Sequence, residues 1–243
     1  MKKLIAVLIF SYSVNLMAQK PDLLPVSTTG EIVSHKYYTL SYSEKNEQAE
    51  WVFYLLTKAN SIGAVERENN FRPDPLVPTG SASLLDYRNS GYDKGHLCPA
   101  ADMSFDSQAM SETFYLSNMS PQVPTFNRGI WKKLEELVRS WSLQEDSLYI
   151  VTGPIFLNNK QSIGPDKVTV LGYYYKVIYD PIGKKKMIGF ILPNAKGKGQ
   201  LSNYTVSVDS VEKVTKIDFF HNLPDSLENR LERGVDLKLW KFN

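Results

Sequence analysis

Asp93-Lys94-Gly95-His96-Leu97 is followed, about thirty residues on, by Asn127-Arg128-Gly129-Ile130-Trp131-Lys132-Lys133-Leu134-Glu135. In the second stretch, apolar residues at Ile130, Trp131, Leu134, Leu137, Val138 and Trp141 recur at spacings of three and four, which predicts an amphipathic helix over Gly129–Trp141 with one buried stripe. Asn127 stands at the helix entrance and Glu135 eight positions later. Eight residues turn through ~800° on a helix, ~80° beyond two full turns, and the bend of the preceding loop can bring the Asn127 amide to the cavity that Glu135 borders. A histidine that takes a proton from water, an asparagine carbonyl suited to a hard cation, and a nearby acid are what metal-assisted phosphodiester cleavage uses.

Working outward, β-branched and aromatic residues from Glu31 to Ser43, then Leu148–Thr152, Val168–Asp180 and Met187–Leu192, predict strands. Trp51–Leu56 is a compact apolar run whose pattern fits strand or short helix. Asn69–Asp86, with Pro73, Pro75, Pro78 and Gly80, predicts a long ordered loop leading into the histidine. Asp180-Pro181-Ile182-Gly183 marks a turn, Asp209–Val214 a short helical turn, and Pro224–Arg233 a closing helix. The sum is the α+β class: a mixed, largely antiparallel central sheet flanked by helices.

Asp93-Lys94-Gly95-His96-Leu97, the run from Phe114 through Ser117-Asn118-Met119-Ser120-Pro121-Gln122, and Asn127-Arg128-Gly129 with Trp131 and Leu134-Glu135 resemble the signature of the sugar-non-specific DNA/RNA endonucleases. These are ββα-metal (His-Me finger) nucleases, and the similarity spans about Trp51 to Leu231. The resemblance favours strand for Trp51–Leu56. It implies a Mg²⁺ cofactor (Mn²⁺ as the alternative), DNA and RNA substrates, products with 5′-phosphate and 3′-hydroxyl ends, and little sequence preference, because contacts go to the phosphate backbone. It implies His96 as general base, Asn127 as metal-binding residue, Asn118 as an orienting residue, and Glu135 as orienting metal-bound water or assisting the leaving group. Arg67 and Arg72 resemble the phosphate-contacting region, and Arg128 joins them as a substrate-binding candidate. The family usually has Arg where this chain has Lys94; the charge is kept at a catalytic position, but the planar fork that grips two phosphate oxygens is lost.

Lys2 and Lys3, the apolar run Leu4–Phe10 and the Leu16-Met17-Ala18 end predict a signal peptide over 1–18, cleaved after Ala18, and an exported single domain over 19–243. The apolar run falls short of the ~20 residues of a spanning helix, so no stable membrane association is expected; an uncleaved anchor is the alternative. Without 1–18 the chain carries 26 Lys+Arg against 26 Asp+Glu, so affinity for nucleic acid has to come from a local basic patch. Arg128, Lys132, Lys133, Arg139 and Lys184–Lys186 are candidates for steering the backbone, with a solvated surface as the alternative for the triplet. No sequence feature sets the oligomeric state.

A single cysteine, Cys98, excludes an intrachain disulfide. With only three histidines, a tetrahedral zinc site is not expected. Cys98 beside His96 suggests a Cys-His hydrolase as one rival, against a buried small residue. A non-catalytic binding module is the other rival. Asn127 is alternatively a helix N-cap and Glu135 a solvated helix acid, while His35 and His221 suit surface or packing roles.

Overall fold

Two runs of alternating side chains fix the centre of the molecule. In the strand Gln48–Thr57, Trp51 and Phe53 point to one face while Val52, Tyr54 and Leu56 point to the other, and all five are fully buried. Both faces are covered, so the segment reads as a continuous apolar run, which is why pattern alone left strand and helix open. The structure, a computed structural model, describes residues 23–157 and 161–242; the expected signal peptide lies outside the described residues.

The strands are β1 (Glu31–Ser34), β2 (Tyr38–Ser43), β3 (Gln48–Thr57), β4 (Asp93–His96), β5 (Met119–Gln122), β6 (Ser147–Pro154), β7 (Ser162–Ile163), β8 (Val168–Thr169), β9 (Tyr173–Asp180), β10 (Lys186–Pro193) and β11 (Thr205–Val206). The helices are α1 (Leu84–Tyr87), α2 (Ser107–Glu112), α3 (Lys132–Glu145), α4 (Val208–Thr215) and α5 (Asp225–Glu232). Seven strands form one sheet in the order β1-β2-β3-β6-β9-β10-β11, and every pairing in it is antiparallel. The expected strand 168–180 divides into β8 and β9, which belong to different sheets.

The two faces of the large sheet build two cores. The front face packs Val52, Tyr54, Ile150, Ile178 and Ile188 against Trp131, Leu134, Val138 and Trp141 of the helical segment. The back face packs Trp51, Phe53, Val151, Val177 and Tyr179 against Val208 and Val211 of α4 and Leu231 of α5. Burying each such side chain contributes roughly 1.5–3 kcal/mol. On the front, β4 and β5 pair as a separate antiparallel ribbon, with His96 opposite Met119 and Asp93 opposite Gln122. The long loop before it is anchored: buried Asp74 pairs with His35 Nε2 at 2.9 Å and accepts from Ser117 Oγ, giving His35 the packing role.

Candidate active site

β4 alternates, so Asp93 and Gly95 face one way and Lys94 and His96 the other. At Gly95 a Cβ would lie 2.2 Å from Cδ of the buried Gln122, so only glycine lets that side chain cross the ribbon and keep the register that carries His96. The chain beyond His96 is clamped by Asn118. Its Oδ1 accepts from the Cys98 N–H at 2.8 Å, and its Nδ2 donates to the Cys98 and Thr113 carbonyls at 3.0 and 2.9 Å. Asn118 is fully buried and its amide is spent on backbone, so it positions the histidine strand and does not itself face substrate.

The His96 ring lies edge-on to Phe114 with centroids 5.0 Å apart, and Phe71 packs beside it. Nε2 is buried and makes no hydrogen bond among the described residues. Burial first, then the charges of Arg67 and Lys94, push the His96 pKa down to about 3, so the imidazole is neutral at physiological pH. Lys94 Nζ stands 4.7 Å from the Phe71 ring centroid and the Arg67 guanidinium 5.0 Å from that of Phe114. Two cations thus flank one neutral, unpartnered imidazole nitrogen.

On the other side of β4, Asp93 organises the start of the helical segment. Arg128 grips it with two hydrogen bonds, Nε to Oδ2 at 2.8 Å and Nη2 to Oδ1 at 2.6 Å, and Asn127 Nδ2 donates to Oδ2 at 3.0 Å. Burial raises the Asp93 carboxyl, but these donors outweigh it and hold the group below the usual carboxylate range. A carboxylate can only accept, so the Asn127 amide is fixed with its NH₂ toward Asp93 and its carbonyl oxygen turned away. The capping alternative does not hold: the turn carrying Asn127, Phe126–Trp131, is a wide π-type turn before α3, with Thr125 at its N-cap and a kink at Gly129.

Glu135 sits one turn into α3, partly buried. Burial raises its pKa most, Lys176 pulls it down, Asp102 pushes it up, and Arg139 and Arg67 pull it down again, which leaves it at about 7. Lys176 carries no mark in the sequence beyond being one lysine inside the apolar run Tyr173–Tyr179. It is fully buried in β9, its Nζ 4.9 Å from the Trp131 ring centroid and without a hydrogen bond among the described residues. Arg139 and Tyr54 both engage the buried Asp102, at 2.6 and 2.9 Å. Glu135 is therefore one member of a buried mixed-charge cluster, not a solvated helix acid.

Several expected roles change. Arg72 is spent internally, donating to the Ser111 and Asn70 carbonyls and stacking on Tyr115 at 4.0 Å, so it is no phosphate clamp. Arg128 is about three-quarters exposed, yet two of its guanidinium nitrogens are committed to Asp93. Arg139 pairs with Asp102 instead of forming basic surface. Lys184 and Lys185 are exposed, but Lys186 is buried and pairs with Glu145 at 2.8 Å. Lys133 borders an open groove of about 730 Å³ on the flank of α3 that does not include His96. Cys98 is fully buried, and burial drives its thiol pKa well up, which removes it as a nucleophile.

A two-stranded ribbon bearing His96, followed by a helical segment bearing Asn127 and packed on an antiparallel sheet, places this protein among the ββα-metal nucleases. The chain belongs to the DNA/RNA non-specific endonuclease family, whose description it matches over residues 22–226. Nuclease C1 of Cunninghamella echinulata var. echinulata is 39% identical over 215 residues, covering 81% of this chain and 85% of its own. Mitochondrial nuclease EXOG of Mus musculus is 35% identical over 218 residues, covering 82% of this chain and 59% of its own. A crystal structure of the EndoG/EndoGI complex, on the mechanism of EndoG inhibition, superposes with a TM-score of 0.73 at 33% identity, covering 79% of this chain and 86% of that one. The protein is thus a nuclease that hydrolyses nucleic acids, in a family dependent on a divalent metal.

Proposed function

We propose that the protein is an exported, Mg²⁺-dependent endonuclease that cuts DNA and RNA with little sequence preference, using His96 as general base. The observation that carries this reading is the buried, unpartnered Nε2 of a neutral His96 set between the cations Lys94 and Arg67. Lys94 and Arg67 attract a phosphate, and the phosphate charge cancels the repulsion that their charges add to burial in holding the imidazole pKa down. His96 becomes a stronger base when substrate is in place, which is when a proton has to leave the attacking water. Glu135, on which the charge of Arg67 acts as it does on His96, orients water there.

The donor set fits a hard cation with few protein ligands: Asn127 offers one amide oxygen held outward by Asp93, and most of the ion's shell stays with water and phosphate. A bound Mg²⁺ supplies charge stabilisation to the phosphoryl and leaving oxygens. Mn²⁺ suits the same oxygen donors. Backbone contact without base contact accounts for cutting both DNA and RNA, and the family resemblance implies 5′-phosphate and 3′-hydroxyl ends.

Export rests on Lys2, Lys3, the Leu4–Phe10 run and Ala18. Among the described residues no helix is long and apolar enough to cross a membrane. The deciding experiment digests supercoiled plasmid and RNA with protein lacking residues 1–18, in EDTA and in Mg²⁺, Mn²⁺ or Ca²⁺. Cutting of both substrates that EDTA stops and Mg²⁺ restores is expected, and activity persisting in EDTA refutes the metal assignment.

A further inference from the structure

Glu232 is in the wrong place for a carboxylate by every local criterion. It closes α5, where the helix dipole disfavours negative charge. Its residue is 5% exposed, and its Oε1 is buried without a hydrogen-bond partner among the described residues. Across from it, α4 presents Asp209 and Glu212, and carboxylate oxygens of all three residues lie within 4.8 Å of one another. Asp209 is at home in the first turn of α4, and Glu212 accepts the Phe219 N–H at 2.9 Å, so each of these has a local reason to be where it is. Glu232 has none. None of the three forms an ion pair among the described residues, and the other charges that act on Glu232, Glu228 and Asp218, are also acidic.

We propose that Asp209, Glu212 and Glu232 hold a calcium ion that ties α4 to α5 on the back face of the sheet, away from His96. Three hard oxygen donors with no nitrogen or sulfur among them select Ca²⁺ or Mg²⁺ over transition metals. Oxygens no more than 4.8 Å apart can share one Ca²⁺ at about 2.3–2.6 Å from each, and the irregular set of one exposed, one half-buried and one buried carboxylate suits the flexible shell of Ca²⁺ better than the near-ideal octahedron that Mg²⁺ demands. Exposed Asp209 leaves the outer side of the site open for the waters that complete the shell. Burial and its acidic neighbours raise the Glu232 pKa to about 9, so without a cation the group stays protonated at neutral pH, and calcium displaces that proton.

The test is thermal melting of the full chain in EDTA and in increasing CaCl₂, for the parent and for Asp209→Asn, Glu232→Gln and Asn127→Ala. Calcium at about a hundredfold over its Kd should raise the parent Tm by about 5–10 °C. Asn127→Ala should keep that rise, and Asp209→Asn and Glu232→Gln should each lose it. Asp209 is exposed, so its variant folds even if Glu232→Gln does not. A parent that does not respond to CaCl₂, or a full response in Asp209→Asn, overturns the site. Loss of the response only in Asn127→Ala would assign calcium to the His96 side instead. The inference is independent of the proposed cleavage chemistry.

Discussion

On the front face of the sheet Lys176 is buried among Glu135, Asp102 and Arg139; on the back, Glu232 is buried among Asp209, Glu212 and Glu228. Both places put an ionisable side chain out of water. In front, cations and anions alternate, so burial is offset locally and Glu135 is drawn toward the charged form even though burial alone would neutralise it. At the back all the charges have one sign, and the structure offsets them only by taking up a proton or a cation. A mixed cluster tunes a residue for chemistry, whereas a like-charged one waits for a ligand.

The largest expected effect tests whether the front face is the reactive one. His96→Ala should lower cleavage by ~10²–10⁴-fold, the usual share of a general base, with the melting curve little changed because no hydrogen bond to Nε2 is lost. Near-normal plasmid cutting by the folded variant would dismiss His96 from the reaction.

Lys176→Met sharpens the comparison by making the front cluster resemble the back one. Lys176 pulls the Glu135 pKa down, so its loss should send that value above about 7. If cleavage needs Glu135 charged, the acid limb of the pH–rate profile moves to higher pH, with a loss of ~10–100-fold at neutral pH, the range for supporting residues. A lower rate with an unmoved acid limb would leave Lys176 a packing role only.

Lys186 separates buried cations that serve the site from those that serve the fold. It lies on the front face but bonds to Glu145 and the Leu239 carbonyl at the far end of α3. Lys186→Met should cost about 1–3 kcal/mol of stability, discounted because Glu145 is partly exposed, and leave the salt dependence of cleavage unchanged. A shallower salt dependence would return Lys186 to the nucleic-acid surface.

The smallest effect on cleavage is expected at the back face without calcium, where the readout is stability. Glu232 has a folded pKa of about 9 against an ordinary 4.5, so the folded state favours the protonated form. Its stabilising contribution is present below pH 4.5 and declines as pH rises toward about 9. In EDTA, Glu232→Gln should therefore flatten the fall of Tm between those values, and an unaltered slope would show that Glu232 does not titrate as described.

The Gly129–Trp141 stripe, the strand runs and the ordered set of His96, Asn127 and Glu135 were legible from the sequence because they depend on local period and spacing. The stripe and the strand runs pointed to the α+β class, and the resemblance carried by the ordered set pointed to the family. The sequence could not tell which arginines are committed to internal partners: Arg67 makes no hydrogen bond among the described residues, while Arg72, Arg128 and Arg139 are drawn to carbonyls and carboxylates 35 or more residues away. Nor could it place Lys186, which looked like one of three surface lysines. The orientation of the Asn127 carbonyl, the neutrality of His96, the Lys176 cluster and the gathering of Asp209, Glu212 and Glu232 were decided by tertiary structure alone. Each depends on burial and on partners brought together across the sheet, and both set electrostatic energies that no local pattern encodes.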